Sequence, residues 1–200
     1  MPIAVLLITD RPEESQKLER LLSLWGPCDV VDLHRLAAIC RSRGATLIVD
    51  NTAATPFGVQ PLSLGADLVV ASATKALSGH SDLLAGYVAG CHPELMARVE
   101  RDRLLAGPVL GAFEAWLALR SLGSAGLRID RQCRNAQAVA LMLRDHPAVR
   151  SVRYPGLPDD PSHAVAVEQM RRFGSLVAVE LADAAAVHGL VERSELLVAA

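Results

Sequence analysis

Lysine is scarce in this chain of 200 residues, since only Lys17 and Lys75 are lysines among its 20 basic residues. The four cysteines form no Cys-x-x-Cys pair and have no histidine at zinc-ligand spacing. No apolar run approaches the roughly 20 residues that a membrane-spanning helix needs. The net charge of −2 gives no basic field for a nucleic acid. We therefore expect no metal site, no membrane span and no nucleic-acid partner, and we interpret the cysteines as reduced, mostly buried thiols of a cytoplasmic protein.

The chain has enough apolar residues, 51% with 21% charged, to bury a sizeable core. Its hydrophobic periodicity predicts an α/β fold with a mostly parallel sheet and helices on both faces. Strands are expected at about 3–9, 46–50, from 68 onward, and at 84–89, 149–154 and 175–181. Helices are expected at about 13–24, 33–43, 93–105, 110–122, 128–144, 164–172 and 184–192.

Candidate functional residues lie where two of these strands end. Asp50 ends one strand, and the next apolar run closes with Ser72, Thr74 and Lys75. Ligands of open α/β sheets bind outside the carboxyl ends of the strands. A lysine shielded from water there can form a Schiff base with an aldehyde, and the hydroxyls can hold a phosphate. With Asp50 to pair with a pyridine nitrogen, these residues meet the needs of pyridoxal phosphate (PLP).

Each of these residues also has a simpler interpretation. A strand-end aspartate often serves as a turn residue, and serine and threonine often form local caps. On the same grounds we interpret His80 as a hydrogen-bonded loop residue and Arg120 as part of a helix surface or a domain interface.

A longer run of motifs resembles a known family. In order they are Val49-Asp50-Asn51-Thr52, Ala54-Thr55-Pro56, Gly65-Ala66-Asp67, Ser72-Ala73-Thr74-Lys75, Gly79-His80-Ser81-Asp82, Glu114 to Arg120, Asn135-Ala136, Tyr154-Pro155-Gly156-Leu157 and Phe173-Gly174. This run, covering about residues 31–180, resembles the Cys/Met-metabolism family of PLP-dependent enzymes, which includes cystathionine gamma-synthase, cystathionine gamma-lyase and methionine gamma-lyase.

The resemblance implies a fold-type-I architecture in which Lys75 is the Schiff-base lysine and moves protons on the substrate. It implies that Asp50 pairs with the pyridine nitrogen of PLP and that Ser72 and Thr74 flank its phosphate. The implied reaction is elimination or replacement at the γ or β carbon of a sulfur-containing or activated-homoserine amino acid. Members of the family usually form dimers or tetramers.

The pattern of strands and helices changes near residue 145, and together with the extent of the resemblance this divides the chain into three parts. Residues 1–30 form an atypical strand–helix segment, residues 31–145 a portion of the PLP-binding large domain, and residues 146–200 an incomplete smaller domain. Whole members are longer, and their N-terminal phosphate loop and stacking tyrosine have no counterpart here. Nor does the chain reach the arginine that grips the substrate carboxylate. We therefore expect weakened cofactor binding and an exposed sheet edge.

Two alternatives remain open at this stage. The chain could be a non-catalytic remnant of such an enzyme. It could also be a receiver-like phosphoacceptor domain, in which Asp50 is phosphorylated and Asp10 binds magnesium. That alternative leaves more than a hundred residues after Lys75 unexplained. Dinucleotide-binding and P-loop folds are not supported, because neither glycine fingerprint occurs.

Overall fold

A computed structural model describes residues 4–8 and 29–196 of the chain. Its strands are β1 (Ala4–Ile8), β2 (Thr46–Asp50), β3 (Leu68–Ser72), β4 (Gly86–Gly90), β5 (Val149–Arg153) and β6 (Ala178–Leu181). Its helices are α1 (Leu33–Ser42), α2 (Thr55–Gly58), α3 (Pro93–Ala106), α4 (Ala112–Arg144), α5 (His163–Gln169) and α6 (Ala184–Arg193), with a 3-10 turn at Pro61–Leu64. The α/β class is confirmed, and the predicted helix at 13–24 lies outside the described residues.

The main sheet has the strand order β1-β2-β3-β4 and is mixed. Only β2 and β3 pair in parallel, with Val49 opposite Val69, whereas β1 and β4 each run antiparallel to their neighbour. The prediction of a mostly parallel sheet is therefore wrong for the described strands. Strand β1 covers one edge of β2, and within the described residues no further strand lies beside β4.

The core beside this sheet is built by the periodic apolar face of α1. Leu33, Leu36, Ala37 and Cys40 are all buried, as their 3.6-residue spacing predicted, and they pack with Leu47 and Val49 of β2. Asp32 caps the helix, since its Oδ1 accepts a hydrogen bond from the Arg35 N–H at 2.9 Å. This packing fixes where β2, and thus Asp50, ends.

One prediction about the helices is wrong. Residues 112–144 form a single helix of 33 residues, where two helices had been expected. The interval between the two predicted helices contains Gly123 and Gly126, and a buried face with Ser121, Ala125 and Ile129 runs through it. Burial of this face outweighs the helix-breaking tendency of two glycines, about 1 kcal/mol each.

Beyond α4, strands β5 and β6 form a separate antiparallel pair. This unit contacts the start of α1, because Gln169 donates to the Val31 carbonyl at 2.6 Å and the Val30 N–H donates to the Ser162 hydroxyl at 3.0 Å. Helix α4 ends at Arg144, next to the domain boundary predicted near residue 145, which stays a prediction. None of the helices within the described residues has the length and apolarity needed to cross a membrane.

The cysteines fit the prediction only in part. Cys40, Cys91 and Cys133 are free thiols. Burial, and then the nearby carboxylate of Asp67, raise the pKa of Cys40. Cys133 is half-buried but Cys91 is exposed, so the expectation of mostly buried thiols is wrong for Cys91. Cys28 lies outside the described residues.

Candidate active site

Strands β2 and β3 end side by side at one edge of the sheet. The pairing continues past β2, because the Asn51 N–H donates to the Val70 carbonyl at 2.8 Å. One residue further on, the Thr52 hydroxyl accepts a hydrogen bond from the Ser72 N–H at 2.7 Å. The residues that follow both strands are thereby brought to the same place, as the rule for ligand sites in α/β sheets anticipates.

A cleft of about 1040 Å³ opens at this edge. All four sequence-predicted site residues line it, namely Asp50, Ser72, Thr74 and Lys75. The other lining residues are Thr52, Ala53, Ala76, Gly79, Ser81, Asp82, Leu83, Leu84, Gln132, Ser175 and Leu176. The last three come from α4 and from the segment before β6, and no sequence pattern marked them as part of a site.

The carboxylate of Asp50 is half-buried and only partly engaged. Its Oδ1 accepts a hydrogen bond from the Thr52 N–H at 2.9 Å, which leaves Oδ2 available to a ligand. Tyr87 of β4 lies close enough to feel this charge. Burial, and then the negative charge of Asp50, raise the pKa of the Tyr87 hydroxyl.

Ser72 and Thr74 differ in what their hydroxyls can do. The Thr74 hydroxyl donates to the Ala85 carbonyl at 3.2 Å and accepts from the Ala85 N–H at 2.9 Å. Its single proton is thus committed to the backbone, and only an acceptor lone pair remains. The Ser72 hydroxyl makes no hydrogen bond within the described residues, so its proton is free for an anion.

Lys75 follows β3 in a turn rather than on the strand itself. The Gly79 N–H donates to the Lys75 carbonyl at 2.8 Å, and the Ser78 N–H donates to the Ala73 carbonyl at 2.9 Å. The side chain of Lys75 is exposed at the cleft. The expectation of a lysine shielded from water is therefore wrong for the chain as described.

The loop after Lys75 has an unusual backbone. Gly79 and Ser81 both have positive φ, +67° and +57°. A non-glycine residue rarely adopts this conformation, and Ser81 does so on the wall of the cleft. His80 is a loop residue as predicted, with its Nδ1 close to the Ser78 carbonyl and, at 3.4 Å, to the Ser121 hydroxyl. Arg120 is exposed on α4 over the Trp116 ring.

The groups in this cleft fit PLP. The cleft has room for a small ligand. A carboxylate oxygen, a free hydroxyl proton and a primary amine all face it, and these are the groups that a pyridine nitrogen, a phosphate and an aldehyde require. A metal is a poorer match, because no group of three metal-ligating side chains occurs in the part of the chain that the structure describes.

Comparison with known proteins identifies relatives of this chain. Residues 26–200 match the model of the family described as Cys/Met metabolism PLP-dependent enzyme. A putative cystathionine gamma-lyase of Streptomyces coelicolor is 52% identical over 153 residues, which is 76% of this chain and 39% of that protein. An L-methionine gamma-lyase of Pseudomonas deceptionensis is 46% identical, with the same coverage of 76% and 39%.

Solved structures agree with the sequence relatives. CalE6, a methionine gamma-lyase from Micromonospora echinospora, superposes with a TM-score of 0.83 at 38% identity, covering 88% of this chain and 48% of that one. MetB from Corynebacterium glutamicum gives 0.84 at 36% identity, covering 88% and 46%. The chain spans about two fifths of the length of the first curated relatives it matches. These matches confirm the predicted fold-type-I relationship and leave the receiver-domain alternative, whose Asp10 is outside the described residues, without support.

Proposed function

Because the chain belongs to the Cys/Met-metabolism family of PLP-dependent enzymes, we propose that it serves PLP-dependent elimination or replacement on a small amino acid. The substrate class we propose is a sulfur-containing or activated-homoserine amino acid that reacts at its γ or β carbon. One observation carries the proposal. Asp50, Ser72 and Lys75 line a single cleft, each with a polar group available to a ligand.

The work of each residue follows from its position. When bound, PLP draws electron density from the α carbon of an amino-acid substrate. Asp50 would pair with the pyridine nitrogen through its second carboxylate oxygen. Ser72 would donate its hydroxyl proton to the phosphate. Lys75 would bind the aldehyde group of PLP through its amine and, when free, would take and return substrate protons at its Nζ.

Thr74 has a supporting part in this proposal. Because its hydroxyl proton goes to the Ala85 carbonyl, Thr74 closes the loop that carries Lys75 instead of donating to the phosphate. The phosphate contact then depends on Ser72 and on nearby backbone N–H groups. This differs from the symmetrical role that the resemblance implied for the two hydroxyls.

The scarcity of lysine makes the proposal simple to test. The protein is incubated with PLP, reduced with borohydride, digested and analysed by mass spectrometry. We expect the reduced pyridoxyl group on the peptide containing Lys75, and we expect it to disappear from that peptide in Lys75→Ala. Lys17→Arg is the matched control and removes the only other lysine.

The outcomes separate the proposals. Modification of Lys75 that persists in Lys17→Arg supports the PLP site, and release of ammonia from cystathionine or methionine would support the reaction. Labelling confined to Lys17 or to the N-terminal amine would overturn the PLP site. Labelling of Lys75 without turnover of any sulfur amino acid would favour the non-catalytic alternative.

We also propose a cytoplasmic location and self-association. The free thiols of Cys40, Cys91 and Cys133 are typical of a reducing compartment. On α4 the large apolar side chains of Phe113, Trp116, Leu119 and Leu122 are exposed, which is typical of an interface. Light scattering of wild type beside Trp116→Lys tests this, and a monomeric wild type at micromolar concentration would contradict it.

A further inference from the structure

The turn directly after Lys75 is tied to helix α4 by the side chain of Arg128. Arg128 donates from Nη1 to the Ala76 carbonyl at 2.9 Å and from Nη2 to the Leu77 carbonyl at 2.8 Å. These are the two residues directly after Lys75. On its own helix, Arg128 donates to the Ser121 carbonyl at 2.9 Å and to the Ser124 hydroxyl at 3.1 Å.

We propose that Arg128 is the positioning residue for Lys75, holding the turn after β3 so that the lysine amine faces the cleft. The inference deepens the function proposed above and rests on it for the role of Lys75. Arg128 itself lies outside the set of residues that line the cleft, so it acts through the loop and does not touch a ligand.

The geometry requires a guanidinium. Arg128 uses four of its five N–H donors, and they point to acceptors on the loop and on α4 at once. A lysine ammonium carries three donors on one atom and cannot span these acceptors in the same way. Among the described residues no carboxylate forms an ion pair with Arg128, so its charge is satisfied by carbonyl and hydroxyl oxygens.

The backbone of the loop is shaped around this side chain. Gly79 has φ +67°, and a Cβ built on it would overlap Nη1 of Arg128. The absence of a side chain at residue 79 thus makes room for the guanidinium. Glycine here serves both the left-handed turn and the approach of Arg128.

A second tie closes the base of the same loop. Thr74 and Ala85 are joined by the Thr74 N–H to the Ala85 carbonyl at 3.1 Å and by the Ala85 N–H to the Thr74 hydroxyl at 2.9 Å. Local bonds within the turn shape it but do not attach it to another element. Arg128 is the side chain that bonds the two residues directly after Lys75 to a rigid helix, whereas the other polar contact of the described loop with α4 lies further along, between His80 Nδ1 and the Ser121 hydroxyl at 3.4 Å.

The test separates positioning from folding. Arg128→Ala and Arg128→Lys are compared with wild type and with Arg134→Ala, a control that removes an exposed arginine bonded to Asp130 at 2.9 Å on the same helix. For each protein, urea unfolding gives stability, hydrogen exchange reports the Ser78 and Gly79 amides, and borohydride trapping at increasing PLP gives the affinity of Lys75 for the cofactor.

We expect Arg128→Ala to speed exchange of the Ser78 and Gly79 amides and to weaken trapping, each by about tenfold or more, because two charge-assisted hydrogen bonds are lost. Arg128→Lys should recover little of either loss, and Arg134→Ala should match wild type in both. If Arg128→Ala does not fold, Arg128→Lys carries the comparison.

Wild-type exchange and trapping in a folded Arg128 variant would overturn the proposal. So would an equal loss in Arg134→Ala, since the effect would then not belong to the loop. Failure of the proposed function is distinguishable, because wild type itself would then show no trapping at Lys75 while the exchange measurement still reports whether Arg128 holds the turn.

Discussion

The Thr52 hydroxyl accepts a hydrogen bond from the Ser72 N–H at 2.7 Å, while the Thr52 N–H donates to Asp50 Oδ1 at 2.9 Å. One residue therefore orients the carboxylate at the end of β2 and fixes the backbone of Ser72 at the end of β3. The cofactor site proposed here depends on both. Sequence analysis gave Thr52 no chemical step, and the structure shows that its part is to hold its neighbours.

Replacement of Thr52 by valine tests this arrangement. Thr52→Val keeps the shape but leaves the Ser72 N–H without its acceptor, so we expect the free energy of unfolding to fall by about 1–3 kcal/mol. Urea denaturation measures the change, and PLP trapping at Lys75 should also require more cofactor. Thr52→Ser restores the hydroxyl and should recover most of both losses. A Thr52→Val protein as stable as wild type would contradict the expectation.

Two glycines with similar backbone conformations allow the contribution of the Arg128 contact to stability to be measured. Gly79 (φ +67°) and Gly107 (φ +79°) are both left-handed, but a Cβ on Gly107 would meet nothing within 4 Å. Gly107→Ala should therefore cost only the backbone strain, about 1 kcal/mol. Gly79→Ala adds displacement of Arg128 from two carbonyls, so we expect a cost of about 2–4 kcal/mol in urea denaturation. Equal costs would mean that the guanidinium moves aside freely.

The long helix α4 offers a second glycine pair. A Cβ on Gly123 would lie in open space, whereas one on Gly126 would lie 3.3 Å from Cε1 of the Phe57 ring. Gly123→Ala should raise the free energy of unfolding by about 0.5–1 kcal/mol, because alanine favours the helix. For Gly126→Ala we expect most of that gain to be lost to contact with the ring. Thermal melts of the two variants measure their stabilities. The same gain in both would show that the Phe57 ring shifts to accommodate the added methyl group.

The structure of α4 also explains why the prediction of two helices is wrong. The predicted helices end at Leu122 and resume at Arg128, because the buried face that runs between them is not visible in the local sequence. The sheet prediction failed for a related reason. Strands β3 and β4 are joined by residues 73–85 without a helix, and a parallel crossover usually requires one. The antiparallel pairing of β4 could have been predicted from that connection.

The site residues were more accessible to prediction than their surroundings. Asp50 and Ser72 end strands that the apolar runs define, and Thr74 and Lys75 follow the second strand, so their convergence could be predicted from strand ends alone. Gln132, Ser175 and Leu176 reach the cleft from elements far along the chain, and nothing in their local sequence indicates this. The exposure of Lys75 could not be predicted either, because it depends on which segments cover the cleft.

The phenol of Tyr154 gives a prediction about pH. Tyr154 is buried beside Phe173 and donates to the Gly174 carbonyl at 3.1 Å. Burial, and then the neighbouring Cys133 thiolate, raise the pKa of this hydroxyl to about 12 from an ordinary 10. Because the folded-state pKa is the higher one, the stabilisation is fully present below pH 10 and is lost as the pH rises towards 12.

Urea unfolding of wild type and Tyr154→Phe at pH 9 and pH 11 measures this loss. Between these values wild type should lose about 1.4 kcal/mol more than the variant, since phenylalanine has no proton to release. The variant retains Cys133 and the other groups that titrate in this range, so the difference between the two proteins isolates the phenol. A difference that stays constant with pH would show that Tyr154 ionises in the folded protein as readily as in the unfolded chain, and that its burial does not hold the hydroxyl neutral.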